Sequence, residues 1–313
     1  MKIAFVFSGQ GSQYQGMGQE LFDYSDNYKE SIKESSKALG IDLIELMFKE
    51  NEWLNQTEYT QPAILAMSLA TSELIKEECG IQPEMVAGLS LGEYTSLVES
   101  GWLTKADCLP LVRARGKFME EAVPNNKGSM AAIMGLPRDL VDKTCAGITL
   151  GFVAVANYNM PNQQVISGDR LAVEAACEEL KRVGAKRVIP LNVSGPFHTP
   201  LLQSAKEKLR PLLEQTKVHT GSIPLVSNVT GRLLESTTDL VAHLCEQIVS
   251  PVYWEDSVQE MIVLGVDVFI EVGPGRALTG FIKKIDKSVT VLNVEDLKSL
   301  QKLKVFLKEN EVS

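Results

Sequence analysis

Residues 85–92, Met85-Val86-Ala87-Gly88-Leu89-Ser90-Leu91-Gly92, decide the fold class of this chain. Met85 to Gly88 reads as a short buried strand, and Leu91 onward as a helix. The turn between them, Gly88-Leu89-Ser90-Leu91-Gly92, matches G-x-S-x-G. In a nucleophile elbow the glycines permit a turn too tight for Cβ atoms, which exposes the serine Oγ at the end of a sheet. Ser90 then lies at a helix N-terminus, where the dipole and the following backbone N–H favour an oxyanion. The plain alternative is a glycine-flanked N-cap serine. A strand before and a helix after favour the elbow.

Outward from the elbow, strands alternate with amphipathic helices. Ile3-Ala4-Phe5-Val6-Phe7 reads as a strand, and 62–79 as a helix with Pro62 in its first turn. Val266 to Ile270 is a further strand, stopped by Gly273-Pro274-Gly275. Such alternation implies a mostly parallel sheet covered on both faces. The middle differs. Ser129–Leu136 reads as strand, Arg138–Cys145 as helix, Phe152–Tyr158 and Gln164–Ser167 as strands, Arg170–Val183 as helix and Lys186–Val193 as strand. That order, βαββαβ, is the ferredoxin-like unit. The expected fold is therefore α/β: a hydrolase-like core of residues 1–125 and 196–313 carrying the nucleophile, with a small ferredoxin-like subdomain inserted at 126–195. Glu295 to Lys308 reads as an amphipathic surface helix.

Bulk properties fit that fold. The 313 residues are 44% hydrophobic and 23% charged, enough for one large domain or two interlocked ones. A net charge of −9 argues against general nucleic-acid binding, which needs a basic footprint. No apolar run approaches the roughly 20 residues that span a bilayer, so no membrane insertion is expected. The chain opens directly into a strand with no basic n-region, which predicts no signal peptide. Five scattered cysteines without a C-x-x-C pair predict neither a disulfide framework nor a zinc site. Reduced thiols in the cytoplasm are the expected setting.

A serine of ordinary pKa needs a base. His243 lies in a helical stretch and His219 precedes a strand-like one, so either reads as a surface or core residue. His198 lies in Ser194-Gly195-Pro196-Phe197-His198-Thr199-Pro200, an irregular loop leaving the small subdomain, and is the best base of the three. After the first strand comes Phe7-Ser8-Gly9-Gln10-Gly11-Ser12-Gln13. It fails the dinucleotide fingerprint, since Tyr14 holds the third glycine position, and no lysine follows Gly16 to make a P-loop. A tight loop offering backbone N–H groups beside the elbow suits a second oxyanion donor; a purely structural turn is the alternative. Arg115, in a helix before Gly116, could hold a carboxylate by two parallel hydrogen bonds or be a solvated helix arginine. Spacing does not choose between them.

Taken in order, these segments resemble the malonyl-CoA:acyl-carrier-protein transacylases of fatty-acid synthesis and the related acyltransferase domains of polyketide synthases. The likeness runs nearly end to end. It includes the Phe7–Gln13 loop, Thr60-Gln61-Pro62-Ala63, the elbow with Glu93-Tyr94, Arg115-Gly116-Lys117-Phe118-Met119 and Gly128-Ser129-Met130-Ala131-Ala132. Gly195-Pro196-Phe197-His198, Gln247-Ile248-Val249-Ser250-Pro251-Val252 and Glu271-Val272-Gly273-Pro274-Gly275 complete it.

The resemblance implies that Ser90 is the acylated nucleophile and His198 its general base and acid. It implies that Gln247 orients His198 through its backbone carbonyl, where ordinary triads use an aspartate. Gln10 and Leu91 would supply the oxyanion N–H groups, and Arg115 would hold the malonyl carboxylate. Asn157 and Asn159 would line the cleft, and Phe197 would crowd branched acyl groups. The implied partners are malonyl-CoA and an acidic acyl carrier protein. Because this chain is acidic too, a local basic dock at Lys186 and Arg187, with Lys181 and Arg182 beside it, is expected for the carrier. No cofactor and no metal are implied. Leu89 departs from the common histidine before the serine, and Ser8 from the usual proline before Gly9. The rival readings are a serine thioesterase or hydrolase, with Asp169 as candidate acid, and a non-catalytic carrier-binding scaffold.

Overall fold

The computed structural model describes residues 1–124, 127–193 and 195–310. Nine strands form two sheets: β1 Ile3–Phe7, β2 Met85–Gly88, β3 Gly128–Met134, β4 Val153–Met160, β5 Gln163–Asp169, β6 Arg187–Pro190, β7 Leu225–Val226, β8 Val268–Val272 and β9 Thr290–Val294. The larger sheet has the order β7-β2-β1-β8-β9, every pair parallel.

Period-two alternation divides the side chains of its central strand between two cores. Ile3, Phe5 and Phe7 pack with Ile64, Leu65 and Leu91, from the helices Thr57–Cys79 and Leu91–Glu99. Ala4 and Val6 pack with Trp254, Met261 and Ile282, from the helices Trp254–Val263 and Ala277–Ile285. Both faces are covered, which is why β1 is an unbroken apolar run.

The second sheet is antiparallel, in the order β4-β5-β3-β6. This is the strand order of the expected ferredoxin-like unit. The helices Arg138–Ala146 and Arg170–Arg182 cover one face, through Val141, Ala172, Val173 and Leu180. The other face brings Met130, Ala132 and Val165 to the main core.

The chain around Val252 ties the two sheets together. Val252 N–H donates to Ala156 O at 2.8 Å, and Tyr158 N–H to Val252 O at 2.9 Å. Arg138 pairs with Asp256 at 2.9 Å and lies 3.7 Å from the Tyr158 ring centre.

Several element limits differ from the sequence expectation: the late strand is Val268–Val272 rather than Val266–Ile270, β4 and β5 are longer than read, and the last helix is Leu297–Glu309. The long helix begins at Thr57, so Pro62 lies inside it rather than in its first turn. Residues 60–72 of that helix are buried on every side, and packing outweighs the hydrogen bond that proline forgoes. β3 stops at Met134 because Gly135 turns the chain at a φ of +92°. β6 ends at Pro190, short of Val193. The expected division between 125 and 126 falls outside the described residues. Among the described residues no helix is long and apolar enough to cross a membrane.

Candidate active site

The parallel register of β1 and β2 sets Phe7 beside Gly88, so the loops that follow these strands emerge side by side. Leu89 N–H donates to Phe7 O at 3.0 Å. A Cβ on Gly88 would lie 2.0 Å from the Gly92 carbonyl, and one on Gly92 would lie 2.1 Å from Phe7 O. Only glycine fits at either position, which is the steric demand of an elbow.

Ser90 pays for the tight turn with φ 54° and ψ −101°. Asn228 clamps it there, its Oδ1 accepting from Ser90 N–H and its Nδ2 donating to Gly88 O, both at 2.6 Å. The Ser90 side chain makes no capping hydrogen bond to the helix it precedes. Ser90 thus stands at the N-cap position without capping the helix, and Oγ is turned to the site.

Ser90 Oγ lies 2.7 Å from His198 Nε2. His198 Nδ1 is 3.0 Å from the Gln247 carbonyl oxygen, which accepts its proton and leaves the Nε2 lone pair facing the serine hydroxyl. The imidazole is buried and also has positive φ, 59°. Burial first, and the nearby Arg115 charge second, push its pKa down to about 4, against the pull of the carbonyl acceptors. It is neutral near pH 7, as a base must be. Asp169, the candidate triad acid, instead accepts from Phe152 N–H at 2.8 Å at the end of β5. His219 is bound through its backbone to Trp102 O.

Arg115 approaches Ser90 from the helix Lys105–Glu121 and is wholly buried. One Nη donates to Gln61 Oε1 at 2.8 Å. The other donates to Gln247 Oε1 at 3.0 Å and to Ser90 Oγ at 3.1 Å. Its Nε has no hydrogen-bond partner among the described residues, and its guanidinium carbon lies 5.2 Å from the Tyr94 ring centre. Burial lowers its pKa and the charge of Glu93 opposes that; no carboxylate among the described residues is in direct contact with it. A buried guanidinium stays charged, and its desolvation cost is offset only in part, by the field of Glu93 and by its neutral hydrogen-bond acceptors.

A cavity of about 370 Å³ opens in front of Ser90 and His198; Arg115 and Gln247 are buried and are not among the residues that line it. Gln10, Asn157, Asn159 and Phe197 line it together with Ser90 and His198. Leu91 turns its side chain into the core and begins the elbow helix, where first-turn N–H groups lack intrahelical acceptors. Leu89, in place of a polar neighbour, gives this wall an apolar surface. Lys186 and Arg187 are exposed on the segment that leads into Leu191 and Val193 of the cavity wall. Lys181 and Arg182 are occupied in ion pairs with Glu178 and Glu179. Among the described residues no group of three or more His, Cys, Asp or Glu side chains could hold a metal ion.

Four residues close to the site carried no expected role: Gln61, Asn228, Glu93 and His243. Gln61 and Glu93 fall inside motifs of the resemblance. His243, read as surface or core, donates from Nε2 to Glu93 at 2.9 Å. Its spacing of four from Gln247 along one helix was the available signal.

The family model described as acyl transferase domain matches residues 4–309. The malonyl CoA-acyl carrier protein transacylase of Bacillus subtilis (strain 168) is 42% identical over 311 residues, which is 98% of each chain. The crystal structure of malonyl CoA-acyl carrier protein transacylase from Clostridium perfringens superimposes with a TM-score of 0.96 at 46% identity, covering 100% of this chain and 99% of that one. A malonyl-transacylase solved in complex with its type II PKS acyl-carrier protein gives a TM-score of 0.95 at 38% identity, over 98% of this chain and 100% of that one. A family match over nearly the whole length, with relatives of this identity covering the same span, means that the chain belongs to the acyl transferase family.

Proposed function

We infer that the protein moves a malonyl group from malonyl-CoA to the phosphopantetheine thiol of acyl carrier protein, supplying extender units for fatty-acid synthesis. The observation that carries this reading is the sharing of Ser90 Oγ between a neutral base and a buried cation, His198 Nε2 at 2.7 Å and Arg115 Nη at 3.1 Å. A serine hydrolase needs the first; only an acyl group ending in a negative charge gives the second a purpose.

The transfer runs in two halves. The malonyl carboxylate takes Arg115 as its partner, which directs the thioester carbonyl to Ser90. His198 Nε2 accepts the Ser90 proton as Oγ attacks, and the oxyanion is held by the Leu91 and Gln10 N–H groups. The C–S bond then breaks, and the imidazolium returns its proton to the departing CoA sulfur, leaving a malonyl-Ser90 ester. In the second half His198 deprotonates the carrier thiol, which attacks that ester, and Ser90 leaves with the proton. The Gln247 carbonyl fixes the His198 tautomer throughout. It carries no full charge, so it stabilises the imidazolium less than an aspartate does. Phe197, in the cavity wall, crowds a branch on the acyl group.

Breaking a buried charge pair typically costs about 3–5 kcal/mol, enough to select malonyl over acetyl. The protein works in the cytoplasm with no bound cofactor or metal. Residues 126–195 form the inserted subdomain, and 1–125 with 196–313 the body. The carrier protein docks at Lys186 and Arg187, which form no ion pair among the described residues, whereas Lys181 and Arg182 are already neutralised. The likeness to the type II PKS pair favours polyketide supply as the second reading of the same chemistry. Malonyl-CoA consumption with and without carrier protein tests the transfer. Turnover is expected to depend on the carrier, and equal turnover with water alone would replace the transferase by a thioesterase.

A further inference from the structure

Glu93 is the third residue of the elbow helix and is wholly buried. Three donors converge on its carboxylate. Asn228 N–H at 3.1 Å and His243 Nε2 at 2.9 Å meet Oε1, and Gln247 Nε2 meets Oε2 at 2.6 Å. The other end of the Gln247 amide accepts from Arg115 at 3.0 Å. A guanidinium only donates, and an ionised carboxylate only accepts. With one at each end, the Gln247 amide has a single allowed orientation, oxygen to Arg115 and nitrogen to Glu93.

We propose that Glu93, held by His243, is a positioning residue that fixes the Gln247 amide and through it the aim of Arg115, and so sets the preference for carboxylated acyl groups. The proposal rests on Arg115 as the carboxylate partner. Its chemistry is directional. In Glu93→Gln the backbone N–H of Asn228 keeps the new amide oxygen on its own side, so the new NH2 group faces Gln247. Two NH2 groups then oppose each other. Gln247 Nε2 also donates to Ser90 O at 3.0 Å, so the amide is then pulled two ways. It turns over and presents its NH2 to the guanidinium, or it shifts away from residue 93, and either way Arg115 loses the fixed acceptor that holds it beside Ser90. A carboxylated acyl group depends on that placement, and an acetyl group does not. Damage to the fold, or to the Gln247 carbonyl behind His198, would instead slow both acyl groups alike.

The experiment measures kcat/KM for acylation of Ser90 by malonyl-CoA and by acetyl-CoA, in the wild type, Glu93→Gln and Arg115→Ala. The malonyl-to-acetyl ratio should fall at least about tenfold in Glu93→Gln, the loss of one hydrogen bond to a charged group. It should collapse further in Arg115→Ala. An unchanged ratio in Glu93→Gln beside a collapsed ratio in Arg115→Ala would overturn the positioning role and leave the Arg115 reading standing. Unchanged ratios in both would remove the Arg115 reading and this inference with it. Should Glu93→Gln fail to fold, His243→Leu decides: a fall of about threefold supports the role, and an unchanged ratio overturns it.

Discussion

Ser90 Oγ meets two side chains from regions built on different principles. His198 comes from the loop 195–199, where positive φ and flanking proline hold the chain in a shape no regular element offers, and its ring lines the cavity. Arg115 comes from the middle of a helix, is wholly buried, and is held by Gln61 and Gln247 from two other helices, Thr57–Cys79 and Leu240–Val249. The His198 side is neutral, with its pKa pushed down to about 4 by burial and by Arg115. The Arg115 side is charged, and among the described residues no carboxylate is in direct contact with it. On the proposed reading, reactivity belongs to strained loops at the end of the parallel sheet. Recognition, on the same reading, belongs to a polar network locked between helices, where a misplaced donor has no water to turn to.

The sharpest way to separate the two regions is Arg115→Ala. Malonyl transfer should fall about 100-fold or more, following the cost of leaving a buried charge unpaired, while acetyl transfer changes much less. Equal losses for both acyl groups would merge recognition with reactivity. Steady-state kcat/KM with the two thioesters reads the difference.

The pH profile tests the reactive side alone. His198 loses its role as base only when protonated, so kcat/KM for malonyl-CoA should hold as pH falls and decline near pH 4. An ordinary histidine of pKa about 6.5 would already be some 30-fold down at pH 5. An acid limb near 6.5 would mean that burial and Arg115 do not act on His198 as the geometry indicates.

The smallest effect belongs to neither region. Replacing Lys186 and Arg187 with glutamate should raise KM for carrier protein several-fold and leave KM for malonyl-CoA unchanged. Equal effects on both substrates would move the docking surface elsewhere.

The same division explains what the sequence disclosed. The elbow was legible because its glycines answer a steric demand that few other turns make, and His198 because only three histidines compete for the role of base. The order βαββαβ survived because apolar periodicity persists even when strand ends shift, as at Pro190 and Met134. Arg115 was visible as a residue but not as a partner, since a buried and a solvated helix arginine share one local pattern. Gln247 entered only through the family resemblance: its carbonyl belongs to the backbone, which every residue carries. Glu93 and His243 lie 150 positions apart, and nothing local announces their pairing. Pro62 misled because proline usually opens a helix, and only the tertiary core shows why this one does not.

The central claim is that Ser90 carries the malonyl group between the two thiols, with Arg115 choosing it. Intact-mass measurement of the protein after brief exposure to malonyl-CoA, without carrier protein, tests this most directly. One malonyl adduct is predicted, located on Ser90, absent from Ser90→Ala and discharged when holo carrier protein is added. No adduct on the wild-type protein, or one that persists in Ser90→Ala, would contradict the account.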